Sequence, residues 1–247
     1  MTNTNVLEVG EASLAPTLAA VRAVAETSEV AQRPVVRIRD YTPADKEDIR
    51  RICCETGYFG NPIDNLFNDR ELFADLFTKP YLDYEPEWAL VAEADGRVVG
   101  YLLGSVCPNF DSLQMRSGFR TTMKMLLRLA TGRYSNHPRT RRFIKWLLFS
   151  GYKEQPKHPR NAAHLHYDME KAYRGGDAGR RLWQEFIRRA KAAGLTTCYG
   201  SFFSTPKRRP EVAHSRYGFK VFDRRRTTMF EPEIAEPVEV VCVAKEI

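Results

Sequence analysis

The stretch His164–Leu182, HLHYDMEKAYRGGDAGRRL, constrains this chain more than any other. Its first half alternates. Leu165, Tyr167 and Met169 share one face, and His164, His166 and Asp168 share the other, which is the period-two pattern of a strand. Its second half, Arg174-Gly175-Gly176-Asp177-Ala178-Gly179, is a glycine-rich turn. A helix is expected to follow, with Leu182, Phe186, Ile187 and Ala190 on one stripe. A strand, a glycine turn and a helix N-terminus together make a phosphate-holding device. The glycines let backbone N–H groups approach the oxygens, and the helix dipole favours the negative charge.

The flanking sequence reads as more of an α/β domain. Val35–Arg39 is an expected strand. Thr42-Pro43-Ala44-Asp45 starts a helix with a Thr cap, Pro in the first position and an acid in the first turn. That helix buries Ile49, Ile52, Cys53 and Thr56 and stops at Gly57. A second helix is expected over Leu66–Phe77. Asp95-Gly96 joins two apolar runs, Trp88–Ala94 and Arg97–Val106, as a hairpin. After the glycine turn and its helix, a strand over Thr196–Ser201, a basic loop, a short helix over Glu211–Arg216 and two strands, Phe219–Phe230 and Val238–Ala244, complete the pattern. Residues 1–34 read as a flexible arm, with a short helix over Leu14–Val24. The rest, 35–247, reads as one domain.

The net charge of +7 is unevenly placed. Segment 107–160 holds 12 basic residues, among them Arg116, Arg120, Lys124 and Arg128, against Asp111 and Glu154. Met115, Phe119, Met123, Leu126, Leu127 and Ala130 recur at helical spacing in it, and Phe143, Trp146 and Leu147 mark a second amphipathic helix. These apolar stripes imply docking on the core, with the segment as a lid or substrate wall. Binding to nucleic acid or to an anionic membrane is the alternative use of such charge, and a solvated outer face is the plainest one. The five cysteines are scattered and form no CxxC pair, so reduced thiols and a cytoplasmic protein are expected. No apolar run is long enough to span a bilayer, and no secretory leader is evident.

The central stretch resembles the acetyl-CoA-binding motif of the GCN5-related N-acetyltransferase superfamily, Arg/Gln-x-x-Gly-x-Gly/Ala. Arg174 matches the first position and Gly179 the last, while Asp177 stands where the pattern has glycine. The HLHxD strand looks closest to a branch that includes acetyltransferase-like domains of bacterial O-GlcNAcase relatives. The resemblance runs from about Val35 to the end of the chain. It implies a mixed, mostly antiparallel sheet of six to seven strands flanked by helices, with a helical insertion, 107–160, between strands three and four.

The resemblance also implies a site. Backbone amides of Arg174, Gly175, Gly176, Asp177, Ala178, Gly179 and Arg180 would hold the coenzyme A pyrophosphate, and main-chain groups of Met169 and Lys171 would pair with the pantetheine arm. Asp168 and His166 are candidates for the base that deprotonates an amine. His214 stands where many relatives carry an acidic tyrosine, with Tyr217 beside it. For each of these side chains a packing or structural role is the competing reading. His164 and His166 make an H-x-H pair without further ligands at metal-site spacing, so no metal is expected. The expected function is acetyl-CoA-dependent transfer to a primary amine of a small molecule or peptide, by direct transfer in a ternary complex. Nucleic acid is disfavoured as a partner, and a homodimer is left open. A non-catalytic module that binds coenzyme A weakly, or a nucleic-acid-binding protein using the basic insertion, are the competing functions.

Overall fold

The computed structural model describes residues 35–247. The arm and helix expected over residues 1–34 lie outside the described residues. Within the unit Val36–Ile247, seven strands form one sheet. They are β1 (Arg37–Asp40), β2 (Ala89–Ala94), β3 (Arg97–Ser105), β4 (Ala163–Met169), β5 (Thr197–Ser204), β6 (Lys220–Thr227) and β7 (Val238–Glu246). Their order is β1-β2-β3-β4-β5-β7-β6. Every neighbouring pair is antiparallel except β4 and β5. The mixed, mostly antiparallel sheet expected with six to seven strands is therefore observed with seven.

The helices are α1 (Lys46–Thr56), α2 (Arg70–Leu82), α3 (Phe110–Ala130), α4 (Pro138–Phe149), α5 (Ala178–Ala192) and α6 (Pro210–Ser215). A 3-10 turn, Pro43–Asp45, leads into α1, and Thr42 and Asp45 form its capping box. The second helix starts later than the sequence pattern suggests. Leu66 and Phe67 are buried in a non-helical segment, and Asp69, whose carboxylate accepts the Leu72 N–H at 3.3 Å, sets the start of α2. The hairpin turn is as expected: Asp95 and Gly96 both have positive φ, 50° and 74°.

The sheet separates two apolar cores. On one face, Ile49, Ile52, Phe67, Phe73 and Tyr101 pack with Phe143, Ile144 and Phe230. On the other, Leu182, Trp183 and Phe186 of α5 pack on Leu102, Leu165 and Val241. The alternation read from β4 assigns its faces correctly. Leu165 and Met169 belong to the α5 core, with Tyr167 packed against it. His164, His166 and Asp168 meet Tyr81 and Tyr101, side chains of the α1–α2 side.

The insertion departs from expectation. In α4, Phe143 and Ile144 are buried, and Trp146 and Leu147 pack against the core, as the pattern suggests. In α3 the buried residues are Phe110, Ser117, Thr121 and Met125, while Met115, Phe119, Met123 and Leu127 are exposed. The physical reason is what the helix buries instead: Phe110 and Met125 join the core on this face of the sheet. Arg128 reaches from α3 to Asp69 at 2.7 Å and fixes that rotation of the helix.

Candidate active site

The parallel pairing of β4 with β5 covers only Ala163 with Cys198 and His164 with Tyr199. Beyond His164 the two strands part. β5 stays paired with β7 through Ser204, and β4 stays paired with β3 through Met169. A gap therefore opens in the middle of the sheet. Glu170 donates its N–H to Val99 at 2.9 Å. The alternation of an antiparallel ladder then turns the main-chain groups of Tyr167 and Met169 toward the gap.

The glycine turn lies at the end of β4. Lys171–Tyr173 form one 3-10 turn, and α5 begins at Ala178. Gly175 has φ +77°, a conformation that disfavours a side chain. The first intrahelical bond of α5 runs from the Arg181 N–H to the Asp177 carbonyl at 2.9 Å. The amides of Ala178, Gly179 and Arg180 precede that bond and are the donors of an anion-binding helix N-terminus. Ala178 is buried beneath the turn, whereas Gly175, Gly176, Asp177 and Arg180 are exposed. A Cβ on Gly179 would meet only the Tyr167 ring, at 3.7 Å. These features fit a pyrophosphate group. Asp177 has φ −86° and ψ −13°, ordinary right-handed backbone, so the missing glycine causes no strain. Its exposed carboxylate lies 4.0 Å from Arg181.

The Arg174 side chain is engaged within the protein. Its Nε donates to the Met169 carbonyl and its Nη1 to the Gly60 carbonyl, both at 2.8 Å. It thereby ties the end of β4 to the loop after α1. Gly60 has φ +83°, a conformation that favours glycine, and a Cβ there would stand 2.7 Å from Arg174 Nη1, which would have to shift. Phe59, Phe203 and Phe230 cluster beside this loop, with ring centroids 4.6 to 5.8 Å apart. Arg208 lies over Phe59 at 5.7 Å.

On the α1 face of β4 the polar side chains form a relay. Tyr101 donates its hydroxyl proton to Asp168 Oδ2 at 2.9 Å and lies 3.2 Å from His166 Nε2. One hydroxyl has one proton, so His166 Nε2 carries a hydrogen and donates to Tyr101. Burial pushes the Asp168 carboxyl above its ordinary range, and the nearby His166 and the Tyr101 hydrogen bond oppose that shift. Burial also lowers His166, against the pull of Asp168, which keeps its ring neutral at pH 7. His164 pairs with the Tyr81 hydroxyl through Nδ1 at 2.9 Å.

On the α5 face, His214 of α6 stacks on Phe202 of β5 at 4.9 Å. Its Nδ1 lies 2.9 Å from the Pro210 carbonyl, which accepts only, so Nδ1 carries the proton. Nε2 then faces the Tyr167 hydroxyl at 3.5 Å as an acceptor. Tyr217 is exposed and packs edge-on against Trp183, 5.1 Å between centroids. Its hydroxyl is hydrogen-bonded to neither Asp168 nor His214 among the described residues. The structure thus places Asp168 and His214 on opposite faces of β4 and sets Tyr217 apart from both. Sequence reasoning missed Tyr101 and Tyr167. Tyr101 faces Asp168 only through the β3–β4 register, which no local pattern encodes. Tyr167 was legible only as an apolar-face residue.

No family model and no curated protein matches the chain. Solved structures do. The crystal structure of SsHAT aligns over 86% of this chain and 98% of its own, at 25% identity and a TM-score of 0.54. The Drosophila melanogaster polyamine N-acetyltransferase, which forms N-acetylagmatine, aligns over 86% and 100%, at 15% identity and a TM-score of 0.52. A GCN5-related N-acetyltransferase from Kribbella flavida aligns over 86% and 98%, at 17% identity and a TM-score of 0.50. With the central strands parted beside a glycine turn and a helix N-terminus, the chain has the fold of the GCN5-related N-acetyltransferases.

Proposed function

We propose that the chain is an acetyl-CoA-dependent N-acetyltransferase acting on a primary amine of a small molecule or peptide, by direct transfer in a ternary complex. One observation carries this reading: β4 parts from β5 next to the glycine turn, with Asp168 on one face of β4 and the Tyr167–His214 pair on the other. Acetyl-CoA supplies the activated acetyl thioester. The amides from Arg174 to Arg180 hold its pyrophosphate, and the Met169 N–H and Lys171 main chain line the gap. Asp168, held by Tyr101, takes the proton of the incoming amine. The Tyr167 hydroxyl, which donates to His214 Nε2 at rest, is the donor to a departing thiolate once it rotates away from that nitrogen. Tyr217, with no such partner, is the weaker candidate for that role. Membership of the branch with an HLHxD strand rests on residues 164–168 alone.

One contact favours a second reading, a module of this fold that binds coenzyme A weakly and transfers nothing. Arg174 occupies the Met169 carbonyl, one of the groups a pantetheine arm would use. Heating the protein with acetyl-CoA separates the readings. Saturation at one hundred times Kd is expected to add about 2.7 kcal/mol of stability. Incubation with a panel of amines should then release free coenzyme thiol. Stabilisation without thiol release for any amine selects the non-catalytic module, and neither effect removes both readings.

Asp177→Gly restores the family pattern. The backbone at this position already suits any residue, so the change acts through charge. A carboxylate about 6 Å from a phosphate costs between about 0.7 kcal/mol in water and about 3 kcal/mol at an effective dielectric near 20. Asp177 is exposed, so the lower part of that range applies. Acetyl-CoA is expected to bind roughly fivefold tighter by calorimetry, equivalent to about 1 kcal/mol. A weaker complex would instead give the carboxylate a positive role through Arg181.

A further inference from the structure

The exposed side of α3 is apolar where a soluble helix is normally polar. Met115, Phe119, Met123 and Leu127 stand one turn apart and are 77%, 65%, 50% and 66% exposed. At 1.5 Å per residue this stripe runs for about 18 Å. Arg116, Arg120 and Lys124 run alongside it. These three cations ion-pair with no carboxylate among the described residues, whereas Arg128 on the inner side holds Asp69 and Glu71. The one acid of the helix, Asp111, sits at its N-terminus against His158. The helix packs on α2 through Ser117, Thr121 and Met125, so its outer face is not spare core surface awaiting a small rotation. Phe110 reaches β4, where its ring lies 4.8 Å from His164. The stripe itself belongs to the opposite, solvent side of the helix.

We propose that this face of α3 docks the protein on an anionic lipid surface, with the apolar side chains entering the headgroup boundary and the three cations meeting lipid phosphate or carboxylate. Charge selects this occupant over a second copy of the chain. A two-fold interface along α3 would bring two rows of cations together with no acid between them. Nucleic acid would match the cations but would leave four large apolar side chains without apolar cover. A bilayer surface satisfies both halves of the helix at once, which is the balance of an interfacial amphipathic helix. Docking would be peripheral, since no described helix is long and apolar enough to cross a membrane.

Co-sedimentation of the full chain with phosphatidylcholine vesicles, with and without phosphatidylserine, tests the proposal. Binding to the phosphatidylserine vesicles is expected to exceed binding to neutral ones by roughly tenfold or more at low salt. Two double variants divide the surface: Phe119→Ser with Met123→Ser, and Arg116→Glu with Arg120→Glu. Each is expected to lose roughly tenfold or more in vesicle affinity while keeping its melting temperature, because all four side chains are exposed. No binding to anionic vesicles, or equal binding by wild type and both variants, overturns the proposal. It is also overturned if vesicle binding is absent and a concentration-dependent dimer is lost in the apolar variant, which makes the occupant a second copy. RNA retention lost only in the charge variant, without vesicle binding, overturns it in favour of nucleic acid.

Discussion

Asp168→Asn is expected to lower kcat for amine acetylation by roughly 10²–10⁴-fold, with the Kd for acetyl-CoA nearly unchanged. An alkyl amine with a pKa near 10.4 costs about 4.6 kcal/mol to deprotonate at pH 7, so a positioned base has much to contribute. Asp168 meets the requirements of position and strength. It lies on β4 beside the gap, its side chain is fixed by Tyr101, and burial makes it a stronger base than a surface carboxylate. Asparagine keeps the shape and can still accept from Tyr101, so the fold should persist. The pH profile gives a second readout. A carboxyl raised by burial must lose its proton before it can act, so activity should fall as pH drops through a value above the ordinary carboxylate range. In Asp168→Asn that acid limb should disappear together with most of the rate. Wild-type kcat in the variant would remove Asp168 as the base and leave it as a partner for Tyr101.

What could be read from the sequence followed the range of each signal. The alternation of β4, the capping box of Thr42 and Asp45, and the Asp95-Gly96 turn are local, and each sits in the structure as its pattern suggests. Features set by long-range packing were not legible. Periodicity found the apolar stripe of α3 but turned it to the core, whereas the structure turns it to solvent. Ser117 and Thr121 carry little hydrophobic signal, yet they are buried with Met125, and the Arg128–Asp69 ion pair holds that side of the helix inward. The glycine turn was legible as a phosphate device. The use of Arg174 as a tie between Met169 and Gly60 was not, because Gly60 lies more than one hundred residues away in sequence. The same limit hid Tyr101. Its burial under β4 follows from seven strands finding one register, and with it comes the hydroxyl that orients Asp168.

The second large effect is expected on stability. The His164 ring is walled by Phe110, Tyr81 and Tyr199, with centroids 4.7 to 5.9 Å away, and its Nδ1 is held by the Tyr81 hydroxyl. Burial first, then the like charges of His166 and His158, lower its pKa from 6.5 to about 3. In the unfolded chain the ring titrates near its ordinary 6.5. Between those two values the unfolded state binds a proton that the folded state refuses. Stability is therefore full above about pH 6.5 and falls as pH drops toward 3, by about 2 kcal/mol between pH 7 and pH 5 for this one group. His166, also lowered by burial, adds loss of the same sign. Asp168, raised by burial, works the other way, since its protonation favours the folded state. Carboxylates held low by arginine, such as Asp45 and Glu185, lose their contribution only below about pH 5, under the window used here. Urea unfolding of wild type and His164→Gln at pH 7 and pH 5 isolates the effect. Glutamine can keep a hydrogen bond to Tyr81 but does not titrate. The variant is expected to lose about 2 kcal/mol less than wild type across that interval, whatever its stability at pH 7. Equal losses in the two proteins would mean that the His164 ring accepts its proton in the folded state as readily as in the unfolded one.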